Sequence, residues 1–264
     1  MSGPRDSQVE SDGEFQAATK RSDVPNWASN VSRLRVDQAP QGAINLNVNG
    51  KLVTSPIQGF GKMWQKTYRV RLTGAQVTPE EVISTWKAHF PDYWPPGNRF
   101  YAPLTGIKPG EVGLINMSLP GRAKLSTGVL VLYADEESFT LMTPQGHFFA
   151  GWITFSAAVE GDETVAQAQV LMRAGDPLYE LGLAFGGHGQ EDRFWQRTLE
   201  NLAIHFDVDE PEIETKTTCI DSRRQWRRAG NVWHNAGIRT GLYMATMPIR
   251  WPARRLRRRP SQGM

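Results

Sequence analysis

The sequence predicts an α+β fold, in which a strand and a helix lead into an antiparallel sheet that is closed by a long helix. Three observations carry this. Between Val112 and Arg173, strand-like runs follow one another with only short turns between them, which favours an antiparallel meander. Two helix starts are marked by capping chemistry, Thr78-Pro79-Glu80-Glu81 and Asp176-Pro177. Finally, Gln190–Phe206 sets Phe194, Thr198, Leu202 and Phe206 along one helical stripe.

In chain order, residues 1–42 are polar and mixed in charge, and are expected to be a disordered arm. Residues 43–60 read as an extended arm or hairpin with a tight turn at Asn49-Gly50. Met63–Thr73 alternates, with Trp64, Tyr68, Val70 and Leu72 on one side, as a strand with one buried face does. Thr78 then caps a helix, Pro79 suits its first position and Glu81 completes a capping box. Val82, Trp86 and Phe90 continue it at helical spacing until Pro91. Tyr93 to Asn98 is a proline-stiffened aromatic loop. Strands are expected at Val112–Leu119, Lys124–Ala134, Ser138–Thr143, His147–Val159 and Thr164–Arg173, each ended by Pro, Gly or acidic turn residues. Asp176 caps a short helix that loosens at Gly186-Gly187-His188-Gly189, and the long helix follows. The folded domain is therefore placed at 61–207. An acidic linker at 208–219 and a basic, partly helical extension at 220–264 come after it.

Composition sets limits on the chemistry. The 264 residues are 39% hydrophobic and 22% charged, which suits a globular chain. Cys219 is the single cysteine, so a disulfide scaffold and a CxxC zinc site are excluded. No apolar run approaches the roughly 18–20 residues of a membrane span, and the first residues lack a secretion-signal pattern. A reducing, cytoplasmic setting is expected, with a peripheral membrane contact as its variant. GxSxG, GxxxxGK[ST] and GxGxxG are all absent. His188 and Glu191 lack a third ligand at recognisable spacing, so neither a metal nor another cofactor is expected.

Charge is unevenly spread. From Lys216 onward there are twelve basic residues and one acid, Asp221, for +11; the remaining 18 basic and 26 acidic residues give −8 before it. The basic character belongs to the tail.

The order strand, helix, five-strand meander, long helix resembles the helix-grip fold of the START-like superfamily (SRPBCC proteins), which includes polyketide cyclases and lipid-transfer domains. Phe194-Trp195-Gln196-Arg197-Thr198-Leu199-Glu200-Asn201-Leu202 resembles the final helix of cyclase-like members. Pro144-Gln145-Gly146-His147-Phe148-Phe149-Ala150-Gly151-Trp152 is similar to members that carry a basic C-terminal extension. The resemblance covers about residues 60–207. It implies a curved sheet wrapped around the last helix, with an apolar cavity between them.

On that resemblance, alternation nominates Trp64, Tyr68, Phe148, Trp152 and Met172 as cavity lining. Tyr179 and Phe194 add to it from the helices, and Tyr93 and Trp94 stand at the mouth. The function expected is binding or carrying an apolar small molecule, a lipid or a polyketide-like aromatic. The alternative is a cyclase or dehydrase in which His147 or Tyr68 moves a proton. A third reading is an interaction module that uses the basic tail. Arg254, Arg255, Arg257, Arg258 and Arg259 would then meet an anionic membrane, or a Trp/Ile/Leu stripe (Trp226, Trp233, Ile238, Leu242) would dock on the acidic body or a second copy in a homo-oligomer. Nucleic acid is not the expected partner.

Overall fold

The structure is a computed structural model that describes residues 23–29, 31–118 and 124–256, with side chains described as far as Thr246. Eight strands form one antiparallel sheet: β1 (Met63–Arg71), β2 (Arg99–Tyr101), β3 (Val112–Ser118), β4 (Lys124–Ala134), β5 (Ser138–Met142), β6 (Phe149–Glu160), β7 (Glu163–Ala174) and β8 (Ile213–Asp221). Their spatial order is β2-β3-β4-β5-β6-β7-β1-β8. The helices are α1 (Pro79–His89), α2 (Pro177–Gly182), α3 (His188–His205) and α4 (Ala236–Leu256). The predicted meander and both capped helix starts are present. The Thr78 hydroxyl accepts from Glu81 N–H at 3.2 Å, and the Glu81 carboxylate accepts from Thr78 N–H at 2.8 Å. The Asp176 carboxylate accepts from Leu178 and Tyr179 N–H at 2.9 and 3.1 Å. The sheet curves around α3, giving the helix-grip α+β fold that the element order predicts.

Alternation assigns the two faces. Directly opposed residues share a face, and the register pairs Tyr68 with Ala168, Ala168 with Phe155, and Phe155 with Phe139. This face packs against Trp86 and Phe90 at the α1 end and against Leu199, Leu202 and Ala203 of α3. The other face of β3 and β4 is apolar too, and Leu114 and Leu130 pack there on Leu34, Val48 and Val53.

Two expectations about the flanks are corrected. Residues 31–42 were placed in the disordered arm, yet Leu34 is fully buried and the segment hydrogen-bonds to Gly50 and Lys51. Residues 1–22 of that arm lie outside the described residues. The 43–60 segment does turn at Asn49-Gly50, where Gly50 has φ +77°, and it lies across the sheet's outer face, packed there through Val48 and Val53. The physical reason is that a few apolar anchors suffice where a sheet face would otherwise stay wet. The acidic linker is also displaced, because Ile213–Asp221 pairs with β1 from Met63 to Val70 as an edge strand. Acidity suggested a solvated segment, but Thr215, Thr217 and Thr218 suit an exposed strand, and Glu214 and Lys216 are the charges such edges carry. The short strand β2, read as loop, is held by β3.

The basic extension is docked through residues up to Thr240. Buried Arg173 donates to the carbonyls of Gly61 and Arg223 at 2.6 and 2.8 Å, and to Asp221 at 2.6 Å. A 3-10 segment, Trp226–His234, follows; Asn231 donates there to the carbonyls of Gln58 and Gly175. Ala236 N–H then reaches the carbonyl of Gly146 at 2.9 Å. Gly146 has φ +90°, and a Cβ there would lie 2.0 Å from the carbonyl oxygen of His234, so this junction requires glycine. The surface of α4 that docks is small and polar, with Asn235, Ala236 and Thr240 buried and Asn47 donating to Thr240 at 3.0 Å. The predicted Trp/Ile/Leu stripe is not what docks, since Trp226, Trp233, Ile238 and Leu242 are exposed.

Candidate functional site

The site begins with a residue out of pattern. Within the inward face of β1, between Trp64 and Tyr68, stands Lys66, whose side chain is only 1% exposed. Opposite it lies the first turn of α3. The chain reaches that point through a π-turn, Leu183–Gly187, where Gly186 adopts φ +102° and the helix axis breaks between α2 and α3. The restart at His188 brings Glu191 and Asp192 against β1. Lys66 Nζ lies 2.9 Å from Glu191 Oε2 and 2.7 Å from Asp192 Oδ1, and it also donates to the carbonyl of His188 at 3.4 Å. The Tyr68 hydroxyl donates to the same Asp192 oxygen at 2.7 Å. The Trp64 ring meets the His188 ring edge-on, with centroids 5.0 Å apart.

The Glu191 side chain is 6% exposed, while that of Asp192 is 29% exposed, so the cluster runs from the interior to solvent. Neither Glu191 oxygen makes a well-aligned hydrogen bond; its tie to Lys66 is a charge contact. Burial pushes the Glu191 carboxyl up to about 7 against the pull of Lys66. Burial, followed by the charges of Glu191 and Asp192, raises the Tyr68 phenol. Burial, followed by Lys66, lowers His188.

A pH prediction follows. A Glu191 value near 7 in the fold, against 4.5 for an ordinary glutamate, means that the native state holds the extra proton between those limits. Glu191 therefore makes stability fall as pH rises from 4.5 to 7, with no further loss above. Buried His147 has the opposite sign. Its value is lowered to about 3 from 6.5, so its contribution is lost as pH falls through that window. Glu191→Gln removes only the first slope. Relative to the parent, the variant's stability should improve between about pH 5 and pH 7.5 in urea unfolding; a pH-independent difference would refute the assignment.

The predicted lining residues divide into two groups and one outlier. Trp64, Tyr68 and Met172 share the inward face beside the cluster, Trp64 directly opposite Met172. Phe148 lies just before β6 and meets Tyr179 with centroids 6.3 Å apart. Trp94 packs edge-on against Phe194, in the second turn of α3, at 5.0 Å, and Tyr93 meets His205, at the C-terminal end of α3, at 5.7 Å. Trp152 is the outlier. It pairs with Met142 and Leu171, on the face opposite to Phe155 and α3. The even positions of β6 point outward, and Phe149, Ile153 and Phe155 point inward.

His147, a predicted proton carrier, is committed to its own turn. Its Nδ1 accepts from Phe149 N–H at 3.0 Å, and its ring stacks on Phe148 at 4.1 Å. The second such candidate, Tyr68, is buried with its hydroxyl engaged by Asp192. The interior beneath α3 is filled by rings: Phe155 contacts Trp86, Phe90, Phe139 and Trp195. Two concavities lie elsewhere. One, of about 760 Å³, runs beside Lys87 and Asp135; the other, of about 530 Å³, lies over Gln65, Gln167 and Gln169 on the sheet's polar face. Among the described residues no group of three His, Cys, Asp or Glu side chains is placed to hold a metal ion.

Lys66 and Asp192 were absent from the sequence-based nominations, and Glu191 was considered there only as a metal ligand beside His188. The signal was present for two of them. Lys66 falls on the buried side of an alternating strand, and Glu191 falls on the apolar stripe that continues through Trp195, Thr198 and Leu202. A charge at a core position is a departure from pattern of the kind that functional sites show.

No family model matches the chain, and no curated protein matches it in sequence. Among solved structures it is similar to a START superfamily protein from Mycobacterium smegmatis, with 19% identity over 56% of this chain and 98% of that one and a TM-score of 0.38. It is similar to the di-domain ARO/CYC StfQ of the steffimycin biosynthetic pathway, with 9% identity over 55% of this chain and 51% of that one and a TM-score of 0.43. It is also similar to ginseng major latex-like protein 151 from Panax ginseng, with 13% identity over 55% of this chain and 99% of that one and a TM-score of 0.36. The likeness is one of fold. The chain's own arrangement is the curved antiparallel sheet and gripped helix described above.

Proposed function

We propose that the chain binds a small molecule with an apolar body and a polar head where β1 meets the start of α3. The observation that supports this reading is the buried Lys66–Glu191–Asp192–Tyr68 cluster, with the Glu191 oxygens lacking aligned donors. Taking ions out of water costs several kcal/mol each, and packing alone would be served as well by apolar side chains. Perturbed titratable groups at such a place are candidates for a working site. A ligand hydroxyl would supply the donor that Glu191 lacks. The half-buried rings of Trp64, Phe148 and Tyr179 and the thioether of Met172 would receive the apolar body.

A second reading, proton transfer on the bound molecule, is favoured by one observation. Glu191 is a buried carboxyl against Lys66, pushed up to about 7 by its burial, and its neighbour Asp192 accepts from the Tyr68 phenol, an arrangement that suits a general base or acid. The two readings separate in one variant. Glu191→Gln should weaken binding modestly in a carrier, whereas in an enzyme it should abolish turnover and leave binding in place.

Native mass spectrometry of the purified chain, before and after organic extraction, tests the binding itself. A co-purified mass that extraction removes, and that Trp64→Ala loses while remaining folded, is the expected result. Identical spectra before and after extraction, together with no thermal stabilisation by a panel of amphiphilic lipids and aromatic polyols, would overturn it.

A further inference from the structure

The C-terminal extension has its polarity inverted relative to a helix that has finished packing. Its inward side is small and polar, and its outward side carries Ile238 and Leu242 one turn apart. In the 3-10 segment before it, Trp233 is 83% and Trp226 73% exposed. Between these two tryptophans stand Arg227 and Arg228, both exposed, with no acidic partner among the described residues. Arg223, also exposed, precedes them. In sequence the extension has eleven arginines after Asp221 and not one Asp or Glu. α2 lies alongside the 3-10 segment and adds exposed Leu178 and Leu181.

We propose that this face, Trp226–Leu242, is a docking surface for an anionic lipid bilayer, lying in the interface without crossing it. Charge complementarity supports the choice. Phosphate headgroups provide the anions that the protein itself does not set against Arg227 and Arg228. Indole rings are the side chains most at home where headgroup meets acyl chain. Ile238 and Leu242 would reach the apolar side of that boundary, a role that a purely phosphate-binding surface leaves unexplained. No described helix is long and apolar enough to span a membrane, which agrees with a surface contact. The docked inner side, held by Asn235, Ala236 and Thr240, keeps the face presented.

The experiment is co-sedimentation of the full chain with two vesicle preparations, phosphatidylcholine alone and phosphatidylcholine mixed equally with phosphatidylglycerol. Binding should require the anionic lipid and weaken with salt. Trp226 keeps an edge on Phe60, so Trp233→Ala with Leu242→Ser carries the test of the apolar part. That double variant should retain its melting temperature and bind roughly tenfold or more weakly. Arg227→Gln with Arg228→Gln should lose a comparable factor. Equal binding to both vesicle types, or anionic binding untouched by the Trp233/Leu242 variant, would overturn the proposal. So would preference for duplex DNA over vesicles at the same salt. A concentration-dependent dimer that Trp233→Ala dissolves, without vesicle binding, would assign the face to a second copy and likewise overturn it.

Discussion

Replacing Lys66 by methionine is expected to lower the unfolding free energy by about 3–5 kcal/mol, because it strands a buried carboxylate without its cation. Lys66 stands between Glu191 and Asp192, and its ammonium also reaches the His188 carbonyl. Methionine fills much the same volume, so lost packing contributes little. The loss should depend on pH. Glu191 can escape by taking up a proton, which becomes easier as pH falls, so the variant should be closer to the parent at acidic pH than in mild alkali. Adding Glu191→Leu should restore most of the stability, since an apolar pair of similar size replaces a buried ion pair at little or no cost. Urea unfolding of the single and double variants, at two pH values, reads all of this. A loss below about 1 kcal/mol for Lys66→Met would mean that water reaches the cluster and that the ions are not buried as described.

Phe155→Ala is expected to cost a similar amount, about 3–5 kcal/mol, for a different reason. The Phe155 ring is fully buried at the junction of three layers. It stacks on Phe139 at 4.7 Å and meets Trp86 at 5.0 Å, Phe90 at 5.1 Å and Trp195 of α3 at 5.5 Å. Truncation removes ring contacts to β5, α1 and α3 together and leaves a void that neighbouring backbone cannot close. A melting temperature lower by roughly 2–4 °C per kcal/mol is the expected readout. The void should be dry and apolar, so benzene should stabilise the variant and leave the parent unchanged. A loss near that of a surface substitution would show that α3 is not gripped through this ring.

Much of the fold was legible in the chain itself. The five strands of the meander were marked by turn chemistry, and Thr78, Pro79, Asp176 and Pro177 marked helix starts through local hydrogen bonds that need no tertiary partner. The candidate site was legible only in part. Alternation, which is a local rule, placed Trp64, Tyr68 and Met172 on one face of the sheet, where they lie. Trp152 was misplaced because the parity of β6 was anchored at Phe148, outside the strand. Lys66 and Asp192 were missed, and Glu191 was considered only as a metal ligand, because charge usually means solvent, and only the break at Gly186 brings two distant acids to one buried lysine.

The flanks divide in the same way. The β-branched content of 213–221 and the two-sided apolar character of Lys124–Ala134 were present in the sequence. What they would pair with or bury depended on surfaces formed elsewhere in the chain.

By itself, then, the sequence determined β1, the strands of the meander, the starts of α1 and α2, the long helix α3, and which tail carries the charge. These are matters of capping, periodicity and composition acting within a few residues. Only the tertiary structure decided that Ile213–Asp221 completes the sheet edge, that Asn235, Ala236 and Thr240 dock while Ile238 and Leu242 face out, and that Lys66 meets Glu191 and Asp192. Such pairings join residues far apart in the chain, and their energies exist only once burial has removed water from between them.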